Sequence, residues 1–141
     1  MVNIDIIYGA KGTGKTKIII DRANEGVLKH LGDVVFITDT DRYLHEIKYQ
    51  IRLANAKQSN ITSVDGLIGF IQGMIEANYD IRYMYIDGAA RMMGKDINDL
   101  KSFFERLAQI SAKTEVSFIL TVSCDLEYLP AFVKKYVKNS A

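Results

Sequence analysis

The sequence predicts an α/β protein: one three-layer α/β/α domain over residues 1–141, built on a five-stranded, mainly parallel sheet. Two observations carry this. Five short apolar runs rich in Val, Ile, Tyr, Phe or Thr recur along the chain, the composition of strands buried on both faces. Between them lie segments whose apolar residues repeat every three to four positions, the spacing of helices with one buried face. Strand and helix then alternate, and such alternation forms a parallel sheet with right-handed crossovers and helices on both sides. No internal repeat, low-complexity tract or Pro/Gly/Ser linker marks a boundary, so a single domain is expected.

The first run is "NIDIIYG". A glycine-rich segment follows, then a helix predicted on Ile19, Ile20, Ala23, Val27 and Leu31. The second run is "DVVFITD". After it, "DRYLHEIKYQIRLAN" reads as a more polar helix on Leu44, Ile47, Ile51 and Leu53. "NITSVDG" is the third predicted strand, followed by a helix on Leu67, Ile68, Ile71, Met74 and Ile75. "RYMYIDG" is the fourth, with a helix on Leu100, Phe103, Phe104, Leu107 and Ile110 behind it. "EVSFILTVS" is the fifth, and "DLEYLPAFVKKYVK" closes the chain as a partly basic helix.

Ligands of such folds bind beyond the carboxyl ends of the strands. The residues expected to gather there are Gly9, Asp39, Asp65, Asp87 and Ser123. The formal net charge of +1 gives no global basic field for nucleic acid and no acidic excess for disorder. One cysteine, Cys124, excludes an intramolecular disulfide and points to a reducing compartment. With no signal-peptide pattern and no apolar run of membrane-spanning length, the expectation is a cytoplasmic protein.

Between the first strand and first helix stands "GAKGTGKT", Gly9 to Thr16, which fits G-x-x-x-x-G-K-[ST] in the strand–loop–helix context that pattern requires. Three glycines let the backbone curl so that successive N–H groups point inward. That nest and the positive end of the following helix suit phosphate oxygens. Lys15 is placed to reach the β- and γ-phosphates, and Thr16 to offer its hydroxyl to Mg²⁺. The plainer alternative is a glycine turn before an amphipathic helix.

On these residues the chain resembles the P-loop NTPase superfamily, with "GAKGTGKT" as its Walker A motif and "YMYID" similar to a Walker B strand. The likeness extends to RecA-like ATPase cores. In that arrangement the first strand is expected between the fourth and fifth. The resemblance implies ATP as ligand, with GTP the alternative. The guanine-selective N-K-x-D signature is absent, which favours ATP. It carries nucleotide contacts onto Gly9, Ala10, Lys11, Gly12, Thr13, Gly14, Lys15, Thr16 and Lys17. The Lys11 side chain is read as a solvated loop lysine. Thr16 and Asp87 would hold Mg²⁺, Asp87 through water, because this ion gives up its waters reluctantly.

Many P-loop ATPases place a glutamate after the Walker B aspartate to activate water. Here Gly88, Ala89 and Ala90 follow Asp87, and none can act as a base. RecA-like members put the acid at the end of a neighbouring strand, which nominates Asp39 first, then Asp41 and Asp65. Capping the next helix is the plainer role for Asp41. Ser123, with Thr121 second, resembles the polar strand-end residue that senses the γ-phosphate; helix capping is its simpler reading.

Other groups carry less. Arg82 and Arg91 flank the fourth strand and are either arginine fingers toward a neighbour's nucleotide or surface residues. His30 and His45 are isolated, Cys124 reads as a small buried side chain, and Met84, Met92 and Met93 read as core filler. Lys134, Lys135, Lys138 and Tyr136 could touch nucleic acid, but a solvated helix face needs fewer assumptions. The function expected is a slow Mg-dependent ATPase or nucleotide-dependent switch, completed by self-association or a partner protein. A nucleotide-binding module without turnover is the alternative. A small-molecule or nucleoside kinase would need an arginine-rich lid, and the stretch from Met92 to Asn98 lacks one.

Overall fold

The computed structural model describes residues 1–29 and 31–138. Its five strands are β1 (Ile4–Gly9), β2 (Asp33–Thr38), β3 (Arg52–Asn55), β4 (Ile81–Ile86) and β5 (Ser117–Ser123). The helices are α1 (Lys15–Lys29), α2 (Val64–Ala77), α3 (Ala89–Met93), α4 (Lys101–Thr114) and α5 (Ala131–Lys134). All strand pairs are parallel, in the order β1-β5-β4-β2-β3.

Side-chain alternation sorts the core into two layers. Ile4, Ile6, Val35, Ile37, Met84, Ile86, Phe118 and Leu120 face one side and pack with α2, α3 and α4. Ile7, Val34, Phe36, Tyr85 and Ile119 face the other, where Ile19, Ile20 and Ala23 of α1 cover them. Strands this apolar on both faces need helices on both sides, which is the three-layer architecture the alternation predicted.

Five expectations are corrected. The first strand does not lie between the fourth and fifth. β5 separates β1 from β4, and β1 pairs with β5 alone among the described strands. The segment 41–55 is not a helix. It makes a 3-10 turn at Leu44–Glu46 and then β3. Asn24 on α1 holds it extended: its amide donates to the Glu46 carbonyl (2.8 Å) and accepts the Lys48 N–H (2.9 Å). Tyr43, Ile47, Ile51 and Leu53 thus pack beside α1, and residues 52–55 pair with the open edge of β2.

The third predicted strand, 60–66, is instead the entry to α2. Ser63 caps that helix by accepting the Gly66 N–H (2.9 Å), and Asp65 in the first turn complements the helix dipole. Asp65 is therefore not at a strand end. The closing helix is broken at Pro130, which has no N–H to donate. A 3-10 turn at Leu126–Tyr128 precedes it and only α5 follows. At the end of α1, Leu31 is 96% exposed, so it does not belong to the buried stripe. His30 lies outside the described residues. None of the helices described is long and apolar enough to cross a membrane.

Candidate functional site

The loop Gly9–Thr16 joins the carboxyl end of β1 to α1. Its start is tied to the neighbouring strand end by the Gly9 N–H, which donates to the Cys124 carbonyl (3.1 Å). Gly12 and Gly14 hold φ of 84° and 87°, a region side chains with a Cβ rarely enter, so the tight curl depends on glycine there. The Ala10 carbonyl accepts from Thr13 Oγ1 (2.7 Å) and from Lys15 Nζ (2.9 Å). Lys15 is buried. Desolvation lowers its pKa below the ordinary lysine value, partly offset by Asp87 and reinforced by Arg91. Lys11 is exposed, as expected, while Lys17 is exposed and pairs along α1 with Asp21 (3.5 Å).

Sheet register builds the rest. Ile37, Ile86 and Leu120 are aligned across β2, β4 and β5, so Thr38, Asp87 and Thr121 follow as the next row. Thr121 is also in register with Ile7, whose side chain faces α1, and the row projects to that face. Thr16 at the start of α1 donates to Asp87 Oδ2 (3.1 Å), and Thr121 Oγ1 donates to Oδ1 (2.7 Å). The Gly88 N–H in turn donates to Thr121 Oγ1 (3.1 Å). The structure thus brings the two residues nominated for metal, Thr16 and Asp87, into direct contact across 71 positions of sequence.

Asp39, just past β2, is held by Arg91 of α3 through two hydrogen bonds, Nε to Oδ2 (2.7 Å) and Nη2 to Oδ1 (2.8 Å). The guanidinium lies against Gly88, where a Cβ would collide with it. These bonds hold the Asp39 carboxyl below the usual carboxylate range against the opposing effect of burial, and they raise the Arg91 pKa. Because the folded-state value is depressed, the bridge contributes its full stability well above the ordinary aspartate value of 3.8 and loses it as pH falls through the folded value. The expected cost of Arg91→Gln at neutral pH is about 1 kcal/mol, the upper end for so open a pair. That cost should shrink toward zero on the acid limb of urea melts. A cost independent of pH would show that the pair does not form in solution.

The other nominees are dispersed. Asp41 accepts from Asn55 Nδ2 (2.9 Å) and Gln58 Nε2 (3.0 Å), fastening its loop rather than capping a helix. The Asp65 side chain is 89% exposed and paired with Arg106 of α4. Ser123 ends β5 exposed, on the rim of a pocket of about 340 Å³ shared with Lys11, Arg91, Lys95, Phe104 and Thr121. Arg82 bonds the Tyr79 and Ile81 carbonyls at the start of β4, the end of that strand opposite Asp87. Cys124 is half-buried rather than buried, and burial raises its thiol pKa. Met84, Met92 and Met93 are core residues. Tyr136 stacks on Phe104 with ring centroids 6.3 Å apart, so the basic patch is anchored on the core through its aromatic member.

Sequence reasoning passed over Thr38. Its signal was the T-D at the end of "VVFITD", a polar residue inside an otherwise apolar run. Among the described residues no cluster of three His, Cys, Asp or Glu side chains could hold a metal. A hydroxyl, one carboxylate and waters are a donor set that suits Mg²⁺.

A scan against protein-family models finds no match, and a search of curated proteins finds none either. Among solved structures the chain is similar to the crystal structure of a KaiC-like protein from the hyperthermophilic archaeon Pyrococcus horikoshii OT3. The TM-score is 0.66 at 16% identity, covering 95% of this chain and 67% of that one. At this identity the likeness shows the fold, and it bears out the α/β class and its RecA-like architecture.

Proposed function

We propose that residues 1–141 form one nucleotide-binding domain that takes ATP with Mg²⁺, in the cytoplasm, and hydrolyses it slowly or uses it as a switch. The observation that carries this reading is the Thr16–Asp87 hydrogen bond (3.1 Å) beside a complete G-x-x-x-x-G-K-T loop at the mouth of α1. In this reading Gly9 to Lys17 receive the triphosphate, with the N–H groups of the loop and the start of α1 as donors. Lys15 exchanges the Ala10 carbonyl for phosphate oxygens. Thr16 and Asp87 would hold the metal, which would supply positive charge to neutralise the phosphates. Ser123, on the pocket rim, is the proposed contact to the γ-phosphate, while Thr121 orients Asp87.

Asp39 is the proposed base, and its bond to Arg91 is the reason to expect slow turnover. Binding without turnover is the second reading, favoured by that same bridge and by Gly88, Ala89 and Ala90 after Asp87. In either case a second copy or a partner chain would supply what the single chain lacks. GTP remains the alternative ligand.

Calorimetry with ATP, with and without Mg²⁺, tests the reading. Asp87→Asn is expected to cut the Mg²⁺-dependent gain in affinity by roughly tenfold, the worth of one charged hydrogen-bonding partner. An equal gain in both proteins would leave Asp87 a strand terminus. No ATP binding by the unmodified chain would overturn the function itself.

A further inference from the structure

Asp87 has a threonine beside it on each neighbouring strand, and the two are unlike. Thr121 on β5 is engaged as both donor and acceptor, donating to Asp87 Oδ1 and accepting the Gly88 N–H. Thr38 on β2 is 1% exposed, and its Oγ1 is the buried side-chain oxygen among the described residues that no protein group satisfies. Its main chain is not at fault: the Thr38 carbonyl accepts the Ala56 N–H (2.8 Å) and the Asp87 N–H goes to Ile37 (3.0 Å). The sheet is intact on both sides of Thr38, and only the hydroxyl is left over.

An orphaned buried hydroxyl is destabilising, and valine would fill the same space without it. A hydroxyl offers one donor and two acceptor sites. Asp87 still has capacity too, since each carboxylate oxygen accepts one hydrogen bond here and can take a second. Thr38 and Asp87 are adjacent in one row of the α1 face. Two polar groups with spare capacity, side by side in an otherwise apolar layer, have the donor and acceptor sites that a water arriving with the metal would use.

We infer that Thr38 is a metal-site residue: its hydroxyl, beside Asp87, holds a water of the Mg²⁺ shell when nucleotide is bound. The inference rests on the proposed nucleotide function and adds a member to its site. Thr38 does not touch the metal. It positions a water that does, so its effect is confined to Mg²⁺-dependent binding.

The test is Thr38→Val beside Thr38→Ser, each measured by thermal unfolding without ligand and by ATP calorimetry with and without Mg²⁺. For Thr38→Val the unliganded midpoint should rise by about 2–4 °C, because an unsatisfied hydroxyl is gone. The Mg²⁺-dependent gain should fall about fivefold, the worth of one water-mediated bond, with Mg²⁺-free affinity unchanged. Thr38→Ser should keep the gain. A gain untouched by Thr38→Val overturns the inference and leaves the nucleotide reading standing. A lowered unliganded midpoint also overturns it, since the hydroxyl would then be bound to a structural water at all times. If the unmodified chain binds no ATP, the function falls and this inference with it.

Discussion

Lys15→Ala lowers ATP affinity by about 10- to 100-fold, the range of a lost charge-assisted phosphate contact, and leaves the chain folded. The second half of that expectation comes from the loop. Lys15 Nζ donates to the Ala10 carbonyl, but that oxygen also accepts from Thr13, so truncation does not orphan it. No core partner depends on the ammonium. Burial has already stripped part of its hydration and lowered its pKa, so a phosphate meets a cation whose dehydration cost was met during folding. Circular dichroism and thermal unfolding check the fold, and calorimetry with ATP and Mg²⁺ reads the loss. Unchanged affinity in a folded variant would sink the phosphate assignment of the loop.

Phosphate release by the isolated chain should be slow, and Asp39→Asn should reduce it a further 10²–10⁴-fold, the usual contribution of a positioned base. Asp39 stands just past β2, on the strand that pairs with the one ending at Asp87. Two hydrogen bonds from Arg91 keep it ionised but less basic than a free carboxylate. A base so held accepts a proton poorly, and that is the physical ground for slow turnover. Asp65→Ala should leave the rate unchanged, because that carboxylate is solvated in the first turn of α2 and paired with Arg106. Steady-state phosphate assays on the three proteins decide. Fast turnover by a dilute monomer would refute the slow reading, and turnover insensitive to Asp39→Asn would move the base elsewhere.

Much of this was legible before any coordinates. The loop Gly9–Thr16 is a contiguous pattern whose chemistry lies in its own glycines, lysine and threonine, so reading it needs no knowledge of neighbours. Four of the five strands are runs apolar on both faces, and the stripes of α1, α2 and α4 announce their buried sides. Local signals failed where two of them compete. Ser63 caps a helix and Asp65 lies in its first turn, yet "NITSV" also has strand composition. Residues 41–55 carry apolar residues at a spacing that suits a helix, until Asn24 and the edge of β2 claim them.

The tertiary structure alone decided strand order, and with it the site. A run of Val, Ile and Phe reports that both its faces are buried, not which strand lies beside it, because every such edge offers the same N–H and C=O groups. With β5 between β1 and β4, Thr121 comes to one side of Asp87, Thr38 comes to the other, and α1 sets Thr16 above it. The sequence by itself determined that a G-x-x-x-x-G-K-T loop and a strand followed by an aspartate exist. Their meeting, the bridging of Asp39 by Arg91 and the stranding of the Thr38 hydroxyl depend on groups up to 71 residues apart being brought within hydrogen-bond reach. Only the packing of the whole sheet against its helices can do that, since each such contact closes a long loop whose entropy cost no local pattern offsets.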